Sequence, residues 1–136
     1  PNLTYGGSYK APQDLSKLYA QVDVIWAGDF YQAGFNSKWL LPNRLYEGGY
    51  FSVPAIAPAE SETGRWVAQH QAGFTIAEPL ETTLSRLVGE LLADPKQITA
   101  RAEQLRGLPD SIFVQPQDEM QKLIDLALSN TSKAAA

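Results

Sequence analysis

Residues 42–57 read PNRLYEGGYFSVPAIA, and they are the most informative stretch of the sequence. Proline is favoured in the first turn of a helix, so the stretch predicts a helix from Pro42 to about Phe51. The apolar residues 54–57 that follow predict a short buried strand. A helix that leads directly into a buried strand is typical of open α/β sheets, in which ligands bind where such helices begin.

The segments on either side of this stretch alternate between strand and helix patterns. Upstream, the patterns predict a strand at Leu3–Tyr5, a helix over 12–21 and a strand over 22–27. Downstream, they predict a helix over 61–71, a strand over 73–76 and three more helices, whose apolar positions lie within 84–92, 98–105 and 120–128. Alternating strands and helices with short connections predict an α/β fold, namely a Rossmann-like parallel sheet of about four strands with helices on both faces.

Composition and charge exclude several classes of protein. The 136 residues are 44% hydrophobic, carry a formal net charge of −4, and include no cysteine and one histidine. The negative charge argues against a nucleic-acid-binding surface, and the absence of cysteine excludes disulfides and thiolate metal sites. No apolar run is long enough to cross a bilayer. We predict one domain over residues 1–130, followed by a disordered tail over 131–136.

The helix that starts at Pro42 carries side chains suited to a phosphorylated ligand. Its first N–H groups and its dipole form an anion site, and Arg44 adds fork-shaped donors for phosphate oxygens. Glu47, three residues further on, can accept two hydrogen bonds from a vicinal diol such as that of ribose. Neutral donors that can reach the same anion lie in the preceding loop and in the next helix: Asn36, Ser37 and Thr63.

A second interpretation of Arg44 and Glu47 stays open. At the i, i+3 spacing they can form an ion pair on the helix surface, worth about 0.3 kcal/mol. The adjacent Gly48 and Gly49 favour a binding site instead. Each glycine inside a helix costs about 1 kcal/mol relative to alanine, and the close approach of another group would explain that cost.

Three other residues are of interest near this stretch: Asp29, Trp39 and His70. Asp29 follows the strand predicted over 22–27, so it can face a bound ligand or cap a loop, and the loop cap is the preferred interpretation. His70 is expected to complement the dipole at the end of its helix. Trp39 is the aromatic residue with the best case as a sugar-stacking surface, because it directly precedes the proposed site.

Together these motifs resemble a known family. The run from Asn43 to Ala57, with Glu47 and Pro54 seven residues apart, looks like the donor-site signature of GT-B glycosyltransferases. It resembles still more closely the bacterial exopolysaccharide glycosyltransferases of the succinoglycan-biosynthesis type, in which PNRxYEGG is followed by VPxIA and ETG. Here the residues at 62–64 read ETG in the matching place.

The resemblance implies that the chain is the C-terminal, nucleotide-sugar-binding part of a GT-B enzyme. By this analogy Glu47 holds the ribose, and Arg44 with the helix start holds the diphosphate of a UDP-sugar donor. Asn43 and Gly48 belong to the same motif, and neither a metal nor another cofactor is implied. Many retaining members carry a second Glu where this chain has Trp39, so the catalytic residues stay unknown.

Further expectations concern the parent protein. We expect the chain to be a piece of a longer protein, whose N-terminal domain binds a saccharide or lipid-linked saccharide acceptor in the cytoplasm, at the inner face of the membrane. The isolated piece is expected to be inactive and to self-associate through an exposed sheet edge. The alternative function is a nucleotide- or sugar-binding interaction module without transferase activity.

Overall fold

The structure is a computed structural model, and it describes residues 3–29 and 39–134. The elements follow in chain order as α1 (Leu15–Tyr19), β1 (Ile25–Trp26), α2 (Asn43–Tyr50), β2 (Ala55–Pro58), α3 (Glu62–His70), β3 (Gly73–Ile76), α4 (Leu80–Ala93), α5 (Lys96–Arg106), a 3₁₀ turn (Asp110–Ile112) and α6 (Gln117–Ala134). Strands and helices alternate from β1 to α4, as the sequence predicted. Helix α6 includes the first four residues of the tail predicted at 131–136, and residues 135 and 136 lie outside the described residues.

The three strands form one parallel sheet in the order β1-β2-β3. In its register Ile25 lies opposite Ala55, and Ala55 lies opposite Gly73. The Rossmann-like α/β prediction is therefore confirmed. The described residues form three strands, and the prediction of a strand at Leu3–Tyr5 is wrong. Leu3 and Tyr5 are 92% and 88% exposed, and no strand of the described residues pairs with this segment.

Helices cover both faces of the sheet, as predicted. Ala55 and Ala57 pack with Leu45 of α2 and Val67 of α3 in the main core. Ile56 lies between them in the strand, and successive strand residues face opposite sides. Its side chain accordingly lies on the other side, in a cleft lined by residues of α4 and α5 that include Leu91.

Helix α2 passes into β2 through a compact turn. The N–H groups of Ser52 and Val53 donate to the carbonyls of Gly49 and Gly48, at 3.0 and 2.8 Å. This pairing is a Schellman motif, with Ser52 in the left-handed conformation at φ 62°. Because the turn is so short, the position of α2 is fixed relative to the strand that follows it.

Candidate functional site

The carboxyl ends of the three strands share one edge of the sheet, and α2 and α3 begin there. Pro42 is the N-cap residue of α2, and its extended backbone leads into the helix. Ser61 is the N-cap residue of α3, and its hydroxyl accepts a hydrogen bond from the Gly64 N–H at 3.0 Å. Ligands of open parallel sheets bind at this edge, and the start of α2, to which the sequence analysis assigned the site, lies there.

Thr63 joins the starts of the two helices. Its side chain is buried, at 3% exposure, and its hydroxyl donates to the carbonyl oxygen of Leu40 at 3.2 Å. Leu40 lies two residues before Pro42, so this bond holds the segment that enters α2 against the first turn of α3. The hydroxyl proton of Thr63 is therefore used within the protein, and its predicted contact with phosphate stays a prediction.

Arg44 projects from the first turn of α2 to the end of β1. Its Nε donates to the carbonyl of Trp26 at 2.8 Å, and its Nη2 donates to the carbonyl of Gly28 at 2.7 Å. A guanidinium has five N–H donors, which is more than these two bonds use. The side chain is exposed, so the group is fixed in orientation while it still faces solvent.

Glu47 lies one turn further along α2 and is half-buried. Its Oε2 accepts a hydrogen bond from the hydroxyl of Tyr19 in α1, at 2.9 Å. Arg44 and Glu47 thus have separate hydrogen-bond partners. The surface ion pair between them, which was the second interpretation of the sequence, is not among the ion pairs of the described residues.

Tyr19 is not among the site residues that the sequence predicted. The side chain is 5% exposed, and its ring stacks on Phe51 with centroids 5.4 Å apart and planes 14° apart. Burial raises the pKa of Tyr19, as do the hydrogen bond to Glu47, the charge of Glu47 and the nearby Tyr9, while Arg44 lowers it. A buried tyrosine hydroxyl usually has a hydrogen-bond partner. This rule is the signal by which the sequence could have pointed to a side-chain partner for Tyr19.

The pKa of Tyr19 predicts a pH effect on stability. In the unfolded chain the phenol loses its proton near pH 10, whereas the folded chain retains it at higher pH. At a pH between the pKa of Tyr19 in the unfolded chain and its raised pKa in the folded chain, the unfolded state binds fewer protons than the folded state. The free energy of unfolding therefore falls as the pH rises above about 10. We expect the urea midpoint of the wild type to fall more steeply from pH 9.5 to 11.5 than that of Tyr19→Phe. Parallel curves for the two proteins would contradict this prediction.

The two glycines of α2 have packing explanations. A Cβ atom on Gly48 would overlap the side chain of Ile25 in β1, and one on Gly49 would overlap the ring of Phe113. The close approach inferred from the sequence is therefore real, and protein side chains account for it. That Gly48 also contacts a ligand stays a prediction.

The remaining candidates do not all lie at this edge. Asn43 is exposed at the start of α2, and Trp39 is 72% exposed beside it. Ser37 and Asn36 lie outside the described residues. His70 packs against Trp66 with ring centroids 4.5 Å apart, at the opposite end of α3 from the site.

A shallow groove of about 220 Å³ runs beside Glu47. Its walls are mainly aromatic and aliphatic: Pro12, Leu15, Tyr46, Tyr50, Phe51, Phe113 and Val114. Over residues 3–29 and 39–134, no group of three or more acidic or histidine side chains is arranged to hold a metal ion. Within the same ranges, no helix has the length and apolar character of a membrane span.

Comparison with known proteins gives one informative similarity. The chain is 37% identical over 105 residues to the succinoglycan biosynthesis protein ExoL of Rhizobium meliloti (strain 1021). The match covers 74% of the chain and 26% of ExoL, so the chain spans about a quarter of the length of this relative. No family model matches the chain, and no solved structure matches it. The similarity supports the resemblance to exopolysaccharide-biosynthesis proteins that the motifs of residues 43–64 indicated.

Proposed function

We propose that the chain is the nucleotide-sugar-binding part of a GT-B glycosyltransferase that acts in exopolysaccharide biosynthesis and uses a UDP-sugar donor. The observation that carries the proposal is the placement of Arg44. Its guanidinium is fixed at the carboxyl end of β1, beside the start of α2, with Glu47 one turn away. The name of the relative in Rhizobium meliloti supports the biosynthetic context.

In this proposal the diphosphate binds at the start of α2. The first N–H groups of a helix have no acceptor within the helix, and the helix dipole favours an anion there. Arg44 adds a full positive charge that its two carbonyl partners hold in place, so little orientation is lost when a phosphate binds. The same groups would stabilise the diphosphate as it leaves the donor sugar, without a metal ion.

Glu47 is assigned to the ribose of the donor. A carboxylate accepts hydrogen bonds through two oxygens with about four lone-pair sites, and Tyr19 uses one of them. The remaining sites suit the two hydroxyls of a vicinal diol. Acceptor binding and the catalytic base are assigned to the rest of the parent protein, so the isolated chain is proposed to bind nucleotide weakly and to transfer no sugar.

Calorimetric titration of the chain with UDP and UMP tests the site. We expect saturable binding of both nucleotides, with UDP the tighter because its second phosphate adds a charge-assisted hydrogen bond to Arg44. Arg44→Met should reduce the preference for UDP by about tenfold. Arg86→Met removes an exposed arginine from the middle of α4 and should leave the preference unchanged.

Glu47→Ala should weaken the binding of UDP and UMP by equal factors, since both nucleotides carry the ribose. Binding that is untouched by Glu47→Ala, or no saturable binding by the wild type, would refute the donor-site proposal. Sugar transfer by the full-length parent separates a transferase from a binding module, which would hold the nucleotide without turnover.

A further inference from the structure

The hydrogen bond between Tyr19 and Glu47 joins two helices that are far apart in sequence. The donor and acceptor are separated by 28 residues, and the bond connects α1 to the outer side of α2 at 2.9 Å. A glutamate on a helix surface has several side-chain torsions that are free in solution. A single hydrogen bond from a fixed donor removes most of that freedom, so the orientation of the carboxylate depends on the position of the donor.

Tyr19 is such a fixed donor. Its ring is 5% exposed, stacks on Phe51 and belongs to a small buried cluster with Leu15 and Val53. The hydroxyl therefore has little room to move. It contacts Oε2 of Glu47 and leaves the other carboxylate oxygen for another donor.

We propose that Tyr19 is a positioning residue, whose hydroxyl holds the Glu47 carboxylate in the orientation that accepts the vicinal diol of the donor ribose. This inference rests on the proposed function. It assigns the discrimination between a diol and a deoxy sugar to the pair formed by Tyr19 and Glu47, not to Glu47 alone.

A simpler role for the same bond is to tie α1 onto α2. The two roles predict different ligand preferences. If Tyr19 only supports the fold, its removal changes the affinity for every nucleotide by the same factor. If Tyr19 positions Glu47, its removal weakens the binding of a nucleotide that has the diol and spares an analogue that lacks it.

The experiment compares UDP with its 2′,3′-dideoxy analogue by calorimetric titration. We expect the wild type to bind UDP about tenfold more tightly than the analogue. Tyr19→Phe keeps the ring that stacks on Phe51 and loses only the hydroxyl, and the ratio should fall to about threefold or less. Tyr5→Phe removes the hydroxyl from a tyrosine that is 88% exposed and should leave the ratio unchanged.

A double-mutant cycle with Glu47→Gln completes the test. If the two side chains act as a unit, Tyr19→Phe changes the ratio in the wild type and leaves it unchanged in the Glu47→Gln background. An equal ratio in wild type and Tyr19→Phe would overturn the positioning role while the donor site stands. Absence of saturable UDP binding by the wild type would overturn the proposed function itself, and the positioning role with it.

Discussion

Gly73→Ala is expected to destabilise the sheet severely. Gly73 has a φ of 156°, and a Cβ atom at this position would overlap the backbone carbonyl and amide nitrogen of Ala55 in β2. Backbone atoms of a neighbouring strand cannot move aside without breaking the ladder between β2 and β3, in which Ala55 and Gly73 are register partners. We expect a loss of about 4 kcal/mol or more in the free energy of unfolding, measured by urea denaturation.

Gly89→Ala is the matched control for this substitution. Gly89 lies inside α4, and a Cβ atom there would meet no atom within 4 Å. Alanine favours a helix interior over glycine, so the control should gain about 0.5–1 kcal/mol. A folded Gly73→Ala protein with the wild-type urea midpoint would contradict the close approach of Gly73 to the backbone of Ala55.

Leu45→Ala is expected to cost about 2–5 kcal/mol in the free energy of unfolding. Leu45 is 2% exposed and packs with Ala27, Ala55 and Val67 in the main core. These neighbours are small, and they cannot fill the volume that a leucine side chain leaves. The substitution also loosens the helix that carries Arg44 and Glu47, so nucleotide affinity should fall with stability.

Leu92→Ala provides the comparison for Leu45→Ala. Leu92 is 77% exposed on α4, and its truncation should change stability by less than about 0.5 kcal/mol. Urea denaturation of both variants with the wild type gives the two differences directly. Equal effects of the two substitutions would contradict the packing of α2 against the sheet.

Where a local sequence signal marks the start of a helix or strand, the predicted boundary lies within a residue or two of the observed one. Pro42 stands at the start of α2, and Ser61 caps α3 through its hydroxyl. Gly73 begins β3 at the predicted residue. In each case a residue with a specific backbone or capping preference lies at the boundary, so the information is local and a single sequence contains it.

Strand β1 and the Leu3–Tyr5 segment show where local signals fail. The sequence predicted a strand over 22–27. The observed strand β1 is shorter, because only Ile25 and Trp26 pair with β2. Leu3–Tyr5 has a strand-like composition and pairs with nothing in the described chain. A strand depends on its neighbour more than on its own residues, so these boundaries could not be read from propensity.

The candidate site was predicted by residue type, and its internal contacts were not. Sequence reasoning identified Arg44 and Glu47, but it paired them with each other as one interpretation. The structure pairs Arg44 with backbone carbonyls and Glu47 with Tyr19. Backbone carbonyls carry no sequence signature, and a bond across 28 residues depends on how α1 and α2 pack.

Among the described residues β1 is an edge strand, and Arg44 covers backbone acceptors on its outer side. The N–H groups of Ile25 and Ala27 donate to carbonyls of the β2 segment. The backbone groups of alternate strand residues point in opposite directions, so the carbonyls of Trp26 and Gly28 point away from β2. Those carbonyls are the acceptors that an added strand would use, and the Arg44 guanidinium occupies both. Replacing Arg44 with a side chain that has no donors is therefore expected to expose β1 to strand addition and aggregation, a consequence separate from any loss of ligand.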